Sequence, residues 1–262
     1  MNQPLTEVAL TPAESAAILA LCDEEALLVG GQSLAFWALY YRLEPTGVLG
    51  KHITTDADFI GGPAAAKRLN ARLNWTLWLP TPGDATPQSA KLTQRVGASG
   101  VKQIDFLYSI HGLDTAAVQQ RAVPVRLPGQ STVRILHPLD VLESRLRNLQ
   151  TLPSKQNAVG AAQAQLALQV ARAFIEELIN GADTRKRVLQ AVERIAALAH
   201  DKALLDVLAR YALEPLEAIP AERIAIEGFQ EKRWPQIIAA RRLLQEKRAA
   251  HQAKRRAEQH KD

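Results

Sequence analysis

Two aspartates separated by one residue, Asp56 and Asp58, are the side chains of this sequence whose types and spacing point most directly to chemistry. On a β-strand, side chains at positions i and i+2 emerge on the same face, so these carboxylates would lie side by side. Neighbouring carboxylates repel, and a divalent cation such as Mg²⁺, which takes oxygen ligands, relieves that repulsion. A third carboxylate, Asp105 in the apolar stretch 104–107, allows a second metal ion roughly 3.5–4 Å from the first. The pattern therefore predicts a metal centre for phosphoryl-group chemistry.

A glycine-rich turn, Gly30-Gly31-Gln32-Ser33, precedes the aspartates and follows the short apolar run 26–29. The run predicts a buried strand, and the two glycines predict a tight turn that lets the backbone approach a ligand closely. Ser33 is expected to cap a helix over 34–42, whose free N–H groups suit phosphate oxygens. The turn therefore predicts a phosphate site beside the aspartates.

Each of these features also has an ordinary structural interpretation. A Gly-Gly pair after a strand is commonly no more than a turn. Asp56 and Asp58 would be tolerated on an edge or solvent-facing strand, and Asp105 fits the outward position of an alternating strand. The order of the three features along one predicted sheet favours a metal site over coincidence.

The first half of the chain is rich in predicted strands. A helix is predicted from Thr11, which forms a capping-box pattern with Glu14 around Pro12, to Cys22. Alternating and apolar runs predict the strands, and glycine and proline residues separate them. The predicted strands cover 26–29, 56–60, 75–79, 92–96, 101–110, 122–127 and 131–136, with a loop at 44–55, a helix at 64–73 and a turn at 128–130.

The sequence after residue 137 becomes helical in character. The predicted elements are helices at 138–149 and 158–180, the second ended by Gly181, a helix capped by Asp183, breaks near Pro215 and Pro220, and a last helix from Pro235. The predicted fold class is therefore α+β. A mixed sheet with flanking helices would form a domain over 1–137, and an all-helical domain would follow over 138–262.

The composition is that of an ordinary soluble protein. Of 262 residues, 47% are hydrophobic and 23% are charged, and no apolar run approaches the ~20 residues that cross a bilayer. The first residues lack the basic and apolar segments of a secretory signal. The single Cys22 excludes an intrachain disulfide and is expected to be a buried apolar residue. We therefore expect a cytoplasmic protein with no membrane partner.

The net charge of +5 belongs to the C-terminal segment. Residues 241–262 contain eight Lys or Arg and three acidic residues, whereas the charges of the preceding 240 residues balance. A basic helix of this kind could hold RNA phosphates. It could equally be a solvated helix end, and both interpretations stay open.

These motifs resemble those of the DNA polymerase beta superfamily of nucleotidyltransferases. Within that superfamily, segments 29–35 (Val-Gly-Gly-Gln-Ser-Leu-Ala) and 53–59 (Ile-Thr-Thr-Asp-Ala-Asp-Phe) are most similar to the abortive-infection (AbiEii-type) nucleotidyltransferase toxins. Segment 133–142 also resembles the segment that joins the strand-rich half of those toxins to their helical half. The resemblance covers about residues 25–150, and the remainder is similar only in being helical.

The resemblance implies transfer of a nucleoside monophosphate from an NTP to a hydroxyl acceptor, with Mg²⁺ or Mn²⁺ as cofactor. It assigns Asp56 and Asp58 to both metal ions, and Asp105 to the second ion and to activation of the acceptor. Some relatives are toxins of toxin–antitoxin or phage-defence systems that modify tRNA. RNA, in particular tRNA, or a protein is therefore an expected acceptor, and an antitoxin is an expected partner.

The resemblance also assigns phosphate-binding residues. Gly30, Gly31 and Ser33 would hold the triphosphate of the NTP, and Lys155 is a further candidate for contact with it. The acidic pair that the toxins carry after a corresponding lysine has no counterpart after Lys155. His52 stands where the toxins often carry a basic residue, and it would be either a phosphate contact or a solvated loop residue.

Two other functions share these motifs. A small-molecule transferase, such as an antibiotic-modifying enzyme, would use the same chemistry, and a non-catalytic nucleotidyltransferase-like protein would share the fold. The aromatic residues do not separate these alternatives. Trp75 and Trp78, together with Trp37, Tyr40 and Tyr41, are expected to pack in the core or between domains and not to stack on bases.

Overall fold

The residues that the structure describes form an eight-stranded mixed sheet with flanking helices, followed by a helical region. The computed structural model describes residues 5–45, 47–50, 53–127, 132–181 and 185–259. The strands are β1 Thr6–Glu7, β2 Leu27–Val29, β3 Ala57–Ile60, β4 Thr76–Trp78, β5 Gln88–Val96, β6 Gly100–Leu107, β7 Val123–Arg126 and β8 Thr132–Ile135. The helices are α1 Pro12–Leu21, α2 Gly30–Tyr40, α3 Pro63–Leu73, α4 Thr115–Arg121, α5 Pro138–Thr151, α6 Ala158–Asn180, α7 Arg185–His200, α8 Leu205–Arg210 and α9 Trp234–Gln259.

The strand order across the sheet is β4-β5-β6-β3-β2-β8-β7, and β1 pairs with the start of β6. The pairs β1–β6, β3–β6 and β2–β8 are parallel, and the others are antiparallel. The mixed sheet and the helical second half agree with the predicted α+β class. The division into domains at residue 137 stays a prediction.

Local sequence signals fix several element ends as predicted. Thr11 and Glu14 form both bonds of a capping box at the start of α1, because Thr11 Oγ1 accepts from the Glu14 amide at 3.2 Å and Glu14 Oε2 accepts from the Thr11 amide at 2.9 Å. Gly181 follows the last residue of α6, and its amide donates to the carbonyl of Glu177. Near Pro215 and Pro220 the chain forms short 3₁₀ turns and not α-helix, since proline cannot continue a helix.

Other boundaries differ from the sequence predictions. Helix α2 begins at Gly30, so Ser33 lies inside the helix and does not cap it, and Val29 is the N-cap. Asp56 precedes β3 and is not part of a strand. Two short elements, β1 and α4, have no counterpart among the predicted ones. The predicted turn at 128–130 and the predicted cap Asp183 lie outside the described residues.

The two faces of the sheet have different surroundings. On one face, Phe59 and Phe106 stack with ring centroids 5.5 Å apart, and both are buried. Helix α3 packs against this apolar face, where a Cβ on Gly61 would touch both Phe106 and Ala65. On the opposite face, near β2 and β3, helix α2 contacts β3, α5 and α6. Among the described residues, no helix has both the length and the apolar character needed to cross a membrane.

Candidate metal and phosphate site

Three carboxylates converge at the centre of the sheet. Asp58 on β3 and Asp105 on β6 are direct partners in the parallel register, and Asp56 comes just before β3. One oxygen from each of the three carboxylates lies within 4.8 Å of the others. Three oxygen ligands at this spacing fit a divalent cation such as Mg²⁺ or Mn²⁺.

The glycine turn lies against this cluster because Val29 on β2 is the antiparallel partner of Asp58. Gly30 has φ 63°, which favours glycine, and a Cβ there would lie 1.9 Å from Oδ2 of Asp58. A Cβ on Gly31 would lie 2.4 Å from Cβ of Thr54, whose hydroxyl donates to Oδ1 of Asp56 at 2.7 Å. The two glycines are therefore the residues that allow the start of α2 to touch the carboxylates.

Polar side chains on β5 and β6 hold the carboxylate of Asp105. The amide of Gln88 donates to Oδ1 at 2.7 Å, and the amide of Gln103 donates to Oδ2 at 2.6 Å. The ammonium of Lys91 lies 3.9 Å from Oδ1. Asp105 is buried, so these contacts replace water and fix the direction of its oxygens.

The crowding of carboxylates changes their proton affinity. Burial, and then the charges of Asp56 and Asp105, raise the pKa of Asp58 to about 7. Burial also raises the pKa of Asp105, while the bond from Gln103 and the charge of Lys91 oppose that rise. A bound cation would remove the repulsion, so the electrostatics of the cluster fit a metal centre.

Lys155 and Ser33, two predicted phosphate contacts, have different surroundings. Lys155 is exposed on a 3₁₀ turn, Pro153–Lys155, and its charge is close enough to Asp58 to lower the pKa of that carboxyl. Ser33 is fully buried, and its hydroxyl donates to the carbonyl of Gly30 at 2.9 Å. Lys155 and the partly exposed Gly30 are therefore accessible to a ligand, whereas Gly31 and the hydroxyl of Ser33 are buried.

Arg145 on α5 is a site residue to which sequence reasoning gave no role. It is buried, its Nη1 and Nη2 donate to Gln163 at 3.4 Å and Ser144 at 3.3 Å, and its Nε has no partner among the described residues. Burial lowers the pKa of its guanidinium, while the charges of Asp58 and Asp56 oppose that change. The signal in the sequence is its position on the apolar face of α5, where Leu142, Leu146 and Leu149 are buried.

The aromatic residues divide between core and surface. Trp37 is buried as predicted, and its indole donates to the carbonyl of Leu136 at 2.7 Å. Trp75 is partly buried against the core, but the prediction that Trp78 packs there is wrong, because Trp78 is 40% exposed. Tyr40 is also exposed, and its hydroxyl donates to Glu177 at 3.0 Å.

Cys22 is not part of the carboxylate cluster. Cys22 is buried, its thiol donates to the carbonyl of Ile18 at 3.3 Å, and burial raises its pKa to about 12. A thiol with that pKa stays protonated and is a poor nucleophile. His52 lies outside the described residues. The part of the C-terminal basic helix that is described shows Arg241 buried and bonded to Glu214 at 3.1 Å, so at least this arginine stabilises the helix packing.

A scan against models of protein families finds no match to this chain, and a search of curated proteins finds none either. The function is therefore inferred from the geometry and electrostatics of the site.

Proposed function

We propose that this protein is a metal-dependent nucleotidyltransferase of the DNA polymerase beta type, which moves a nucleoside monophosphate from an NTP to a hydroxyl acceptor. The observation that carries the proposal is the convergence of Asp56, Asp58 and Asp105 within 4.8 Å at the turn that contains Gly30. Three carboxylates suit a pair of divalent cations, and backbone amides at a helix start suit phosphate. The cluster thus brings a metal-binding group and a phosphate-binding group into contact.

Different residues around the cluster would bind the metal ions and the triphosphate. Asp56 and Asp58 would hold Mg²⁺ or Mn²⁺, and the bound ions would neutralise charge on the phosphates and on the attacking oxygen. The backbone at Gly30 and Gly31 would contact the triphosphate. Lys155 is exposed and its positive charge acts on Asp58, so its ammonium would be available to the triphosphate.

Asp105 would accept the proton of the acceptor hydroxyl. The acceptor hydroxyl oxygen attacks the α-phosphorus, the bond from that phosphorus to pyrophosphate breaks, and the hydroxyl proton passes to the carboxylate of Asp105. Gln88 and Gln103 keep the two oxygens of Asp105 in a fixed direction. In the metal-free protein, burial raises the pKa of Asp105.

The test is transfer of radiolabelled nucleotide. The protein is incubated with each of the four α-labelled NTPs, Mg²⁺ or Mn²⁺, and in separate reactions total tRNA, a cell lysate, or aminoglycoside antibiotics. We expect label on one acceptor class, and Asp58→Asn should lower the rate at least about a thousandfold because a metal ligand is lost. Asp206→Asn, a change at an exposed position on α8, is the matched control that keeps the rate.

The acceptor that takes the label separates the alternatives. Label on tRNA or protein supports a toxin-like enzyme, and label on an aminoglycoside supports the antibiotic-modifying alternative. Folded protein that transfers no label with any NTP contradicts the proposal. If the same protein also shows no rise in melting temperature with NTP and Mn²⁺, the non-catalytic alternative without nucleotide binding stands.

A further inference from the structure

A cross-strand row of side chains continues from the carboxylate cluster toward the edge of the sheet. In the register, Trp78 on β4 is opposite Lys91 on β5, Lys91 is opposite Asp105 on β6, and Asp105 is opposite Asp58 on β3. Register partners have their side chains on the same face of a sheet. The 3.9 Å separation between Lys91 and Asp105 agrees with that geometry. Trp78 and Lys91 therefore share a face with the metal site.

This face is open where it crosses β4 and β5. The residues that alternate with the row, Leu77, Leu92 and Ile104, point to the opposite face and pack in or against the core, on the side covered by α3. Trp78 is 40% exposed, and among the described residues nothing forms a hydrogen bond with its indole. A large aromatic surface left in water beside a polar site is suited to stacking on a planar ring.

Two cations on β5 make the open face attractive to an anion. Arg95 follows Lys91 by four residues, so both side chains point to the same face about 13 Å apart along the strand. Arg95 is exposed, and no carboxylate of the described residues lies within ion-pair distance of it. Glu7 on β1 is the nearby opposite charge. Strand β1 pairs with β6 on the side away from β5, and the hydroxyl of Thr55 donates to Oε2 of Glu7 at 3.4 Å. The charge of β5 itself is positive.

We propose that the open face of β4, β5 and β6 is the acceptor subsite, and that it binds the terminal nucleotide of a single-stranded nucleic acid. The inference rests on the proposed function, because the reacting hydroxyl would lie at Asp105. Trp78 is two strand spacings, about 10 Å, from Asp105, so a nucleotide with its 3′ hydroxyl at Asp105 can extend its base over the indole. Lys91 and Arg95 would contact phosphates of the preceding nucleotides.

The experiment measures binding without turnover. The probe is a single-stranded oligoribonucleotide of ten nucleotides, with fluorescein at its 5′ end and a free 3′ hydroxyl. It is titrated with protein in the presence of Mg²⁺ and without NTP, and its fluorescence anisotropy is measured. Trp78→Ala should weaken binding about tenfold, as loss of one stacked base does. Arg95→Ala should lower the slope of log K against log salt by about 0.7, the value for one phosphate contact on a single strand.

Matched controls lie elsewhere on the molecule. Tyr40→Ala removes an exposed aromatic ring from α2, and Lys67→Ala removes an exposed cation from α3 on the opposite side of the sheet. Both controls should bind the oligonucleotide like the unaltered protein. Melting temperatures of Arg95→Ala and Lys67→Ala should stay close to that of the unaltered protein, because these side chains are exposed. Circular dichroism should show that Trp78→Ala and Tyr40→Ala are folded, and the loss of one partly exposed ring in each makes them a matched pair.

Three results would overturn the acceptor subsite. They are absence of oligonucleotide binding by the unaltered protein, unchanged binding by both Trp78→Ala and Arg95→Ala, and a loss of binding in Lys67→Ala as large as that in Arg95→Ala. The nucleotide-transfer assay separates the two proposals. Transfer that is unaffected by Trp78→Ala and Arg95→Ala contradicts the subsite and keeps the transferase. Binding through Trp78 without any transfer contradicts the transferase and keeps a nucleic-acid-binding face.

Discussion

Two acidic regions of this molecule give their buried carboxylates opposite electrostatic surroundings. Asp140 on α5 is fully buried, and it accepts from Nε and Nη2 of Arg121 at 3.0 and 2.8 Å and from Nη2 of Arg194 at 2.6 Å. Asp58 stands beside two other carboxylates, and the facing Arg145 leaves its Nε without a partner among the described residues. The charge of Asp140 is thus paired within the protein, whereas no Lys or Arg of the described residues lies within ion-pair distance of Asp56 or Asp58, and only Lys91 lies at 3.9 Å from Asp105.

The difference distinguishes a charge that is neutralised within the fold from a cluster that, in the proposed function, would bind metal ions. Asp140 joins α4, α5 and α7 through its two arginines, so its neutralisation contributes to stability. The Asp58 cluster keeps carboxylates in repulsion, which lowers stability and which a bound cation would relieve. Removal of a charge from each region should therefore have opposite effects on the folded state.

The largest effect should be on the pH dependence of stability in the metal-free protein. The pKa of Asp58 is raised from 3.8 to about 7, so the folded state keeps a proton that the unfolded state has lost. Stability should fall as the pH rises from about 4 to about 7, by up to about 4 kcal/mol from this group. His137 acts oppositely, because burial lowers its pKa to about 4 and its stabilising contribution is lost as the pH falls from about 6.5 to 4.

The Asp58→Asn variant isolates the contribution of Asp58, since His137 is the same in both proteins. Its melting temperature should exceed that of the unaltered protein at pH 7.5, and the difference should nearly vanish at pH 4.5. Added Mg²⁺ at pH 7.5 should raise the melting temperature of the unaltered protein only. A difference between the two proteins that stays constant with pH would contradict the assignment of the raised pKa to Asp58.

The second effect concerns Asp140, whose charge is paired with Arg121 and Arg194. Asp140→Ala should lower the free energy of unfolding by about 3 kcal/mol, because it leaves two partly buried arginines without their carboxylate. Urea unfolding measures the change. Asp206→Ala, which breaks an exposed pair with Arg248, should change stability by less than about 0.5 kcal/mol. Equal losses of unfolding free energy in the two variants would show that the burial of Asp140 does not increase the stabilisation from its ion pairs.

A third effect tests the contact between the turn and the cluster. Gly30→Ala should destabilise the protein by about 2 kcal/mol and weaken Mg²⁺ binding, because its Cβ would displace the carboxylate of Asp58. Gly47→Ala is a close control, since Gly47 has the same φ of 63° and nothing within 4 Å of an added Cβ. Calorimetric titration with Mg²⁺ should separate them, and equal behaviour would mean that only backbone strain matters.

The smallest effect concerns the charge that faces the cluster. Arg145→Met should tighten Mg²⁺ binding about fivefold, because a positive charge near Asp58 is lost, and should weaken NTP binding by a similar factor. Arg147→Met on the same helix should leave both affinities unchanged, because Arg147 pairs with Asp201 at 2.7 Å. Weaker Mg²⁺ binding in Arg145→Met would show that Arg145 positions the carboxylates and does not compete with the cation.

Sequence reasoning succeeded where the signal is local. The capping box of Thr11 and Glu14 and the stop at Gly181 depend on residues within a few positions, and both were predicted. The short helix α4 was missed, although Asp114, whose side chain accepts from the amide of Ala117 at 2.7 Å, was a signal for its start. The residue type of Ser33 predicts a helix cap, but the helix already begins at Gly30, whose φ is 63°. Strand β1 was missed because its two residues are ordered by pairing with the distant β6.

The sequence by itself determined which residues could bind a metal ion and phosphate: the Asp56 and Asp58 pair, Asp105, and the two glycines of the turn. Their spacing follows from strand periodicity and backbone freedom, which are local properties. Only the tertiary structure decided what surrounds them. Arg145 comes from a helix 87 residues beyond Asp58, and the contacts of Lys91 and Gln88 on β5 with Asp105 on β6 depend on strand register. Register and helix docking are set by packing between distant segments, so neither the charge facing the cluster nor the open face with Trp78 could be obtained from the order of residues alone.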